Sequence, residues 1–213
     1  MDKIIENALE YVEGVFRTDY SGHDYFHTFR VYKTAVALAL KEGADLRTVA
    51  LAALLHDVDD VKLSPETHKT KEKARRFLED NRVGREEIEK ICRIIGEVAY
   101  KGTDSVVPGS LEGKCVQDAD RLDALGAIGV ARAFAFGGNH NRVMHDPAEK
   151  PALDMDETAY RNHVSTTVNH FYEKLFKLKD MMNTEEAKAM AREREEYMKE
   201  FIRRFLEEWE GRK

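Results

Sequence analysis

Apolar residues recur along this chain at spacings of three and four, and no stretch of any length alternates apolar with polar. That period matches the roughly 3.6 residues of a helical turn, so the chain can bury its apolar surface only by forming helices. Ile5, Leu9, Val12 and Phe16 mark one face of a first helix. A second is expected from about Thr28 to Lys41, stopped by Gly43, and a third from about Asp45 to Asp57. The third carries Val49, Ala52, Ala53 and Leu55 and is apolar on most sides, as a central helix must be.

Further on, Ser64-Pro65-Glu66 reads as a helix start, with Pro suited to the first turn, and predicts a helix to about Asn81. Gly84 separates it from another, Arg85 to about Ala99. Val106-Val107-Pro108-Gly109 interrupts the pattern, which resumes through Cys115, Leu122 and Ile128 to about Phe136. Gly137 to Pro151 holds a Gly pair and two prolines and is expected to be a loop or lid, 137–154 overall. A long helix is expected from about Asp156 to Met182, with Asn183-Thr184-Glu185-Glu186 capping the start of the last. There is no internal repeat. The expectation is an all-α fold in one domain over 1–213, with a core at about 20–136 and C-terminal helices over 155–213.

At 213 residues, 42% hydrophobic and 35% charged, the chain can build a sizeable core and is neither disordered nor membrane-spanning in composition. Its longest apolar run, Val49 to Leu55, is far short of the roughly 20 residues that cross a bilayer. Acids in Met1-Asp2-Lys3-Ile4-Ile5-Glu6 do not suit a signal peptide, so a cytoplasmic location is expected. Cys92 and Cys115 form no CxxC pair and read as small core residues. A net charge of −6 disfavours binding to long nucleic acid but permits a local basic pocket for one small phosphorylated ligand. The tail from Glu185 mixes acids and bases around Met190, Tyr197, Phe201, Phe205 and Trp209, an amphipathic helix that packs on the body or on a second subunit of a homodimer.

Chemistry concentrates in three places: Gly22-His23-Asp24-Tyr25-Phe26-His27, then His56-Asp57 with Asp60, then Asp118-Ala119-Asp120-Arg121-Leu122-Asp123. Two imidazoles and two carboxylates suit a divalent cation that takes mixed nitrogen and oxygen ligands. Neighbouring His and Asp diverge by about 100° in mid-helix, but at a frayed or bent helix end both can turn to one ion. His56-Asp57 follows an apolar helix at such an end.

The run Ala50-Leu-Ala-Ala-Leu-Leu55 before His56-Asp57, the upstream His27 and the later Asp118-Ala-Asp120-Arg121-Leu resemble the HD-domain superfamily of metal-dependent phosphohydrolases. Gly126-Ala-Ile-Gly129, Phe134-Ala-Phe-Gly-Gly138 and His170-Phe-Tyr-Glu-Lys-Leu175 extend the likeness to the bacterial YpgQ-like nucleotide pyrophosphohydrolases. The resemblance implies that His27, His56, Asp57 and Asp120 are metal ligands. In the pattern His-Asp-x-x-acid it also implies that Asp60 orients or deprotonates the attacking water, a choice over Asp59 that spacing alone does not make. Related two-metal enzymes carry extra histidines before the last aspartate. Here that stretch has only His68, so one ion is expected, Mn2+ first, with Mg, Fe, Co, Ni or Zn as alternatives.

Phosphate binding needs cations aimed at the phosphoryl oxygens. Arg121 beside the last ligand, Lys62 past the His-Asp turn and Arg30 one turn after His27 are the candidates, with His23 as a further hydrogen-bonding group. His140, Arg142 and His145 in the long loop can close over an anion, with the Gly pair as hinge. Lys174 and Lys177 can face a pocket rim, while Phe171 and Tyr172 read as core. Asp123 shares a helical face with Asp120 and can support it; Asp118 points elsewhere. The expected reaction is hydrolysis of a (deoxy)nucleoside triphosphate to monophosphate and pyrophosphate. A nucleoside-monophosphate phosphomonoesterase, or a non-catalytic module that binds a metal and a nucleotide, are the alternatives.

Overall fold

Helix α3, Leu46–Leu55, explains the architecture around it. From Val49 to Leu55 every side chain is essentially inaccessible to solvent. A helix apolar on all sides is stable only when other helices surround it. Packed against it are α1 (Lys3–Phe16), α2 (Tyr25–Glu42) and α5 (Arg85–Val98). The ends are set by local chemistry: Asp45 accepts the Thr48 amide at 2.8 Å as N-cap, and Gly43 closes α2 at φ 76°. The structure, a computed structural model, describes residues 2–17, 24–61 and 64–212. Among these there is no strand, only an isolated bridge between Lys101 and Thr103, and the fold is all-α. Among the described residues, no helix is long and apolar enough to cross a membrane.

The chain forms two compact units. One joins the residues up to Tyr100 with Ser105–Asp120; the other joins Lys101–Asp104 with the residues from Arg121 onward. The first also contains α4, Glu72–Asp80. Helix α6, Leu111–Asp123, runs across the division at Asp120. In the second unit, α7 (Gly126–Asn139) packs on the long C-terminal helix α11 (Glu185–Trp209), and Phe134 meets Phe171, Phe201 and Phe205 at ring distances of 6.2, 5.8 and 5.6 Å. Thr184 caps α11 as expected.

Four boundaries depart from the periodicity reading. The segment after Ser64-Pro65 is a series of turns, and helix begins only at Glu72, because the Ser64 hydroxyl turns back to the Val58 carbonyl (3.1 Å) rather than capping forward. The helix expected to run through Cys115 to Phe136 is two, α6 and α7, divided where Gly126 takes φ 72°. Helix α7 then continues through the Gly137-Gly138 pair to Asn139. A Cβ at Gly137 would collide with the Thr167 hydroxyl, so this glycine admits a close helix contact rather than a hinge. The long helix expected over 156–182 is broken into α8 (Glu157–Asn162), α9 (Thr167–His170), a π-helical turn (Phe171–Leu175), α10 (Phe176–Leu178) and a 3₁₀ turn (Lys179–Met181). The break has a polar cause. Thr166 starts α9 as N-cap, and the buried Glu173 carboxylate gathers Ser165 Oγ (2.7 Å), His163 Nε2 (2.9 Å) and the Ala152 amide (3.1 Å).

The loop after Asn139 is tied down. Val143 and Met144 carbonyls accept the Thr167 and Val168 amides, and the Glu149 carboxylate accepts the Thr166 amide.

Two expectations follow. Leu51→Ala, in the sealed α3, lowers unfolding free energy by about 2–5 kcal/mol in denaturant titration, while Leu40→Ala, largely exposed, changes it by less than about 0.5 kcal/mol. Cys92 and Cys115 are both free and buried. Burial, then the Asp118, Glu42 and Glu112 carboxylates, pushes the Cys115 thiol up to about 12. Native protein at pH 8 therefore leaves Cys115 unmodified by a thiol reagent such as DTNB until denaturant is added.

Candidate metal centre

Each ligand candidate sits at or near a helix end, where side chains are less constrained to diverge. His27 lies in the first turn of α2, its amide held by the N-cap carboxylate of Asp24 at 2.7 Å. His56 is the C-cap of α3, and the chain tightens at once into turns: the Val58 amide bonds the Leu55 carbonyl, and the Asp60 amide bonds that of Asp57 at 3.0 Å. Asp120 lies in the last turn of α6.

These ends converge. His27 Nε2 is 3.4 Å from Asp57 Oδ2 and 3.5 Å from Asp120 Oδ1; His56 Nε2 is 3.2 and 3.9 Å from the same two oxygens. The imidazole rings meet edge to face at 5.4 Å. His27, His56 and Asp57 each offer one ligand atom within 4.8 Å of the others, and all three are buried. Among the described residues this is the one such group.

The donor set fits a divalent cation. His56 Nδ1 lies 2.8 Å from the Ala53 carbonyl; a carbonyl only accepts, so Nδ1 carries a proton and donates. That leaves Nε2 facing the carboxylates, buried and without a hydrogen bond. A backbone-oriented imidazole with its second nitrogen aimed at acids is the usual arrangement of a metal-binding histidine. Electrostatics agree. Burial alone would lower the His56 imidazole, but Asp57, Asp120 and the Ala53 carbonyl outweigh it and raise it from 6.5 to about 9. The centre thus favours a positive charge between its carboxylates.

The other sequence candidates fall in different places. Asp59 is fully buried and turned away into hydrogen bonds with the Lys73 and Ala74 amides (3.2 and 3.0 Å), so its carboxylate is committed elsewhere. Asp60 is only partly buried, on a turn tied to Asp57 and, through its carbonyl, to the Ser64 amide at 2.7 Å. Arg30 is half-buried on α2. His23 and Lys62 lie outside the described residues. Arg121 is buried and donates from Nη1 to the Met181 carbonyl. Asp123 pairs with Arg132 at 2.6 Å. In the second unit His140 stacks on Phe136 (3.8 Å), Arg142 lies over the same ring, and His145 meets Trp209 edge-on at 5.4 Å. Lys174 lies over Tyr160, and Lys179 pairs with Glu195 at 3.3 Å. The sequence reading gave no role to Asp24, although Asp24-x-x-His27 has the spacing of an N-cap and the amide it holds.

A raised imidazole stabilises the protonated folded state. In metal-stripped protein this contribution is fully present below pH 6.5 and is lost as the pH rises through about 9. Thermal unfolding in EDTA therefore declines over that window, and His56→Gln flattens the decline. Asp57→Ala lowers Mn2+ affinity, read by calorimetry, by more than the roughly 10–100-fold that loss of an outer-shell partner costs.

Comparison with known proteins shows the family. The family model for the HD domain matches residues 24–125, a span that includes all four ligand candidates. The uncharacterized protein YpgQ of Bacillus subtilis (strain 168) is 36% identical over 211 residues, covering 98% of this chain and 95% of its own. A crystal structure from Lactobacillus plantarum superposes with a TM-score of 0.88 at 38% identity, covering 99% of each chain. An HD-superfamily hydrolase from Bacillus thuringiensis gives 0.74 at 43% identity, covering 97% of this chain and 96% of its own. B. subtilis YpgQ in complex with ADP gives 0.74 at 33%, covering 96% of each. This chain belongs to the HD-domain superfamily, in its YpgQ-like group.

Proposed function

We propose that this protein is a metal-dependent phosphohydrolase that cleaves a (deoxy)nucleoside triphosphate to monophosphate and pyrophosphate. The observation that carries the reading is the buried meeting of His27, His56 and Asp57 with Asp120, two imidazoles and two carboxylates within 3.9 Å across their closest pairs. Such a set would hold one divalent ion, Mn2+ in the first instance. When bound, the ion supplies Lewis-acid charge to a phosphoryl oxygen and makes water a better nucleophile. The nucleotide class is supported by a relative of 33% identity, YpgQ, whose structure was solved with ADP.

The chain's own groups supply the rest. Asp60, on the turn after Asp57, aligns the attacking water and takes its proton. As the water oxygen bonds to the α-phosphorus, the bond from that phosphorus to the bridging α–β oxygen breaks and pyrophosphate leaves with the electron pair. Asp60 then passes its proton to solvent. Lys62 and Arg30 neutralise phosphate charge. The hydrogen bonds that commit Asp59 to the α4 backbone favour Asp60 over its neighbour as the acting carboxylate.

The test is a panel of nucleoside tri-, di- and monophosphates with Mn2+, Mg2+, Co2+, Ni2+ and Zn2+, with products read by phosphorus NMR. Monophosphate and pyrophosphate from a triphosphate are expected. Inorganic phosphate from a monophosphate would instead mean a phosphomonoesterase, and tight nucleotide binding with no turnover a binding module. Asp60→Asn is expected to lower kcat by about 10²–10⁴-fold while Mn2+ affinity stays within about threefold of wild type.

A further inference from the structure

Helix α4 begins without a cap of its own. Lys71, in the N-cap position, sits at φ 55° and gives the helix no side-chain capping hydrogen bond. Its first amides would be left without acceptors, yet those of Lys73 and Ala74 are met by the Asp59 carboxylate, reaching from 14 and 15 residues upstream. Asp59 is wholly buried and lies two residues past Asp57.

The same segment grips the turn at two further points. His68 Nδ1 is 3.0 Å from the Asp59 carbonyl, to which it donates, and Ser64 Oγ donates to the Val58 carbonyl at 3.1 Å. Lys73 Nζ in turn holds Ser64 Oγ at 2.5 Å. The two residues that follow Asp57 are therefore fastened through both carbonyls and one carboxylate.

We infer that Asp59 is a positioning residue of the metal centre. By clasping the start of α4 it fixes the backbone of the His56–Asp60 turn, so that Asp57 is presented to both imidazoles and Asp60 is held beside it. The inference rests on the reading of His27, His56, Asp57 and Asp120 as metal ligands. Of the two successive aspartates at the end of this turn, it is Asp59 that faces into the scaffold.

The experiment measures Mn2+ affinity by calorimetry on EDTA-stripped full-length protein, together with thermal midpoints and amide hydrogen exchange at Lys73 and Ala74. Asp59→Ala is expected to weaken Mn2+ binding by about 10–100-fold, as loss of an outer-shell partner does, and to speed exchange at both amides. Asp59→Asn keeps an acceptor oxygen for only one of the two amides, which the carboxylate meets with separate oxygens, and is expected to bind Mn2+ with an affinity between those of wild type and Asp59→Ala. Asp156→Ala, which removes the cap of α8 in the other unit, lowers the midpoint but leaves affinity within about twofold, so that lost stability alone is not the cause. A folded Asp59→Ala protein with wild-type Mn2+ affinity overturns the inference, as does an Asn variant as weak as the Ala one. Should Asp59→Ala fail to fold, His68→Ala, which removes the clasp on the Asp59 carbonyl, is expected to weaken Mn2+ binding severalfold; unchanged affinity there also overturns the inference. Wild-type protein that binds no Mn2+ instead overturns the ligand reading itself.

Discussion

Two carboxylates and two imidazoles pressed together away from water set the terms for the rest of the molecule. Asp57 is buried and Asp120 only partly accessible, and both lie within 4 Å of His56 and His27. Anionic groups withdrawn from solvent are costly unless a positive charge answers them. Here the answer is a proton on His56 or a cation in its place, and both exploit the same field. The scaffold must hold that geometry against the tendency of buried acids to part or to protonate.

It does so with helix ends rather than helix middles. The Asp24 cap presents His27 at the start of α2, the Ala53 carbonyl orients His56 at the end of α3, and the turn beyond is fastened to α4 by Asp59 and to the turns before α4 by Ser64 and His68. The apolar α3 gives this arrangement a rigid base, since a helix enclosed on every side has little room to shift. Gln117 performs a like service for the third element. Its amide donates to the carbonyls of Glu97 and Val106, holding the chain between α5 and α6 three residues before Asp120.

The N-terminal helices were legible because their signals are local: an apolar period, a capping aspartate, a stopping glycine. The same reasoning faltered where a polar group acts across the chain. Ser64 has the right neighbours for a helix start, yet its hydroxyl is drawn back to Val58. The break between α8 and α9 depends on Glu173 receiving donors from residues 152, 163 and 165, which no window of periodicity can register. Gly137 looked like a hinge because glycine is permissive, whereas its lack of a side chain serves the approach of Thr167.

By itself, the order of residues determined that this chain is helical, that α3 is central, and which two histidines and two aspartates form the candidate centre. The first two follow from hydrophobic period, which a linear chain carries in full, and the third is what the likeness to the HD-domain superfamily implies. Only the tertiary structure showed that Asp59 turns its carboxylate to the α4 amides and that the loop histidines pack on Phe136 and Trp209. Adjacent residues of one kind are equivalent until hydrogen-bond donors arrive from elsewhere, and the amides of α4 arrive only when the chain has folded back on itself.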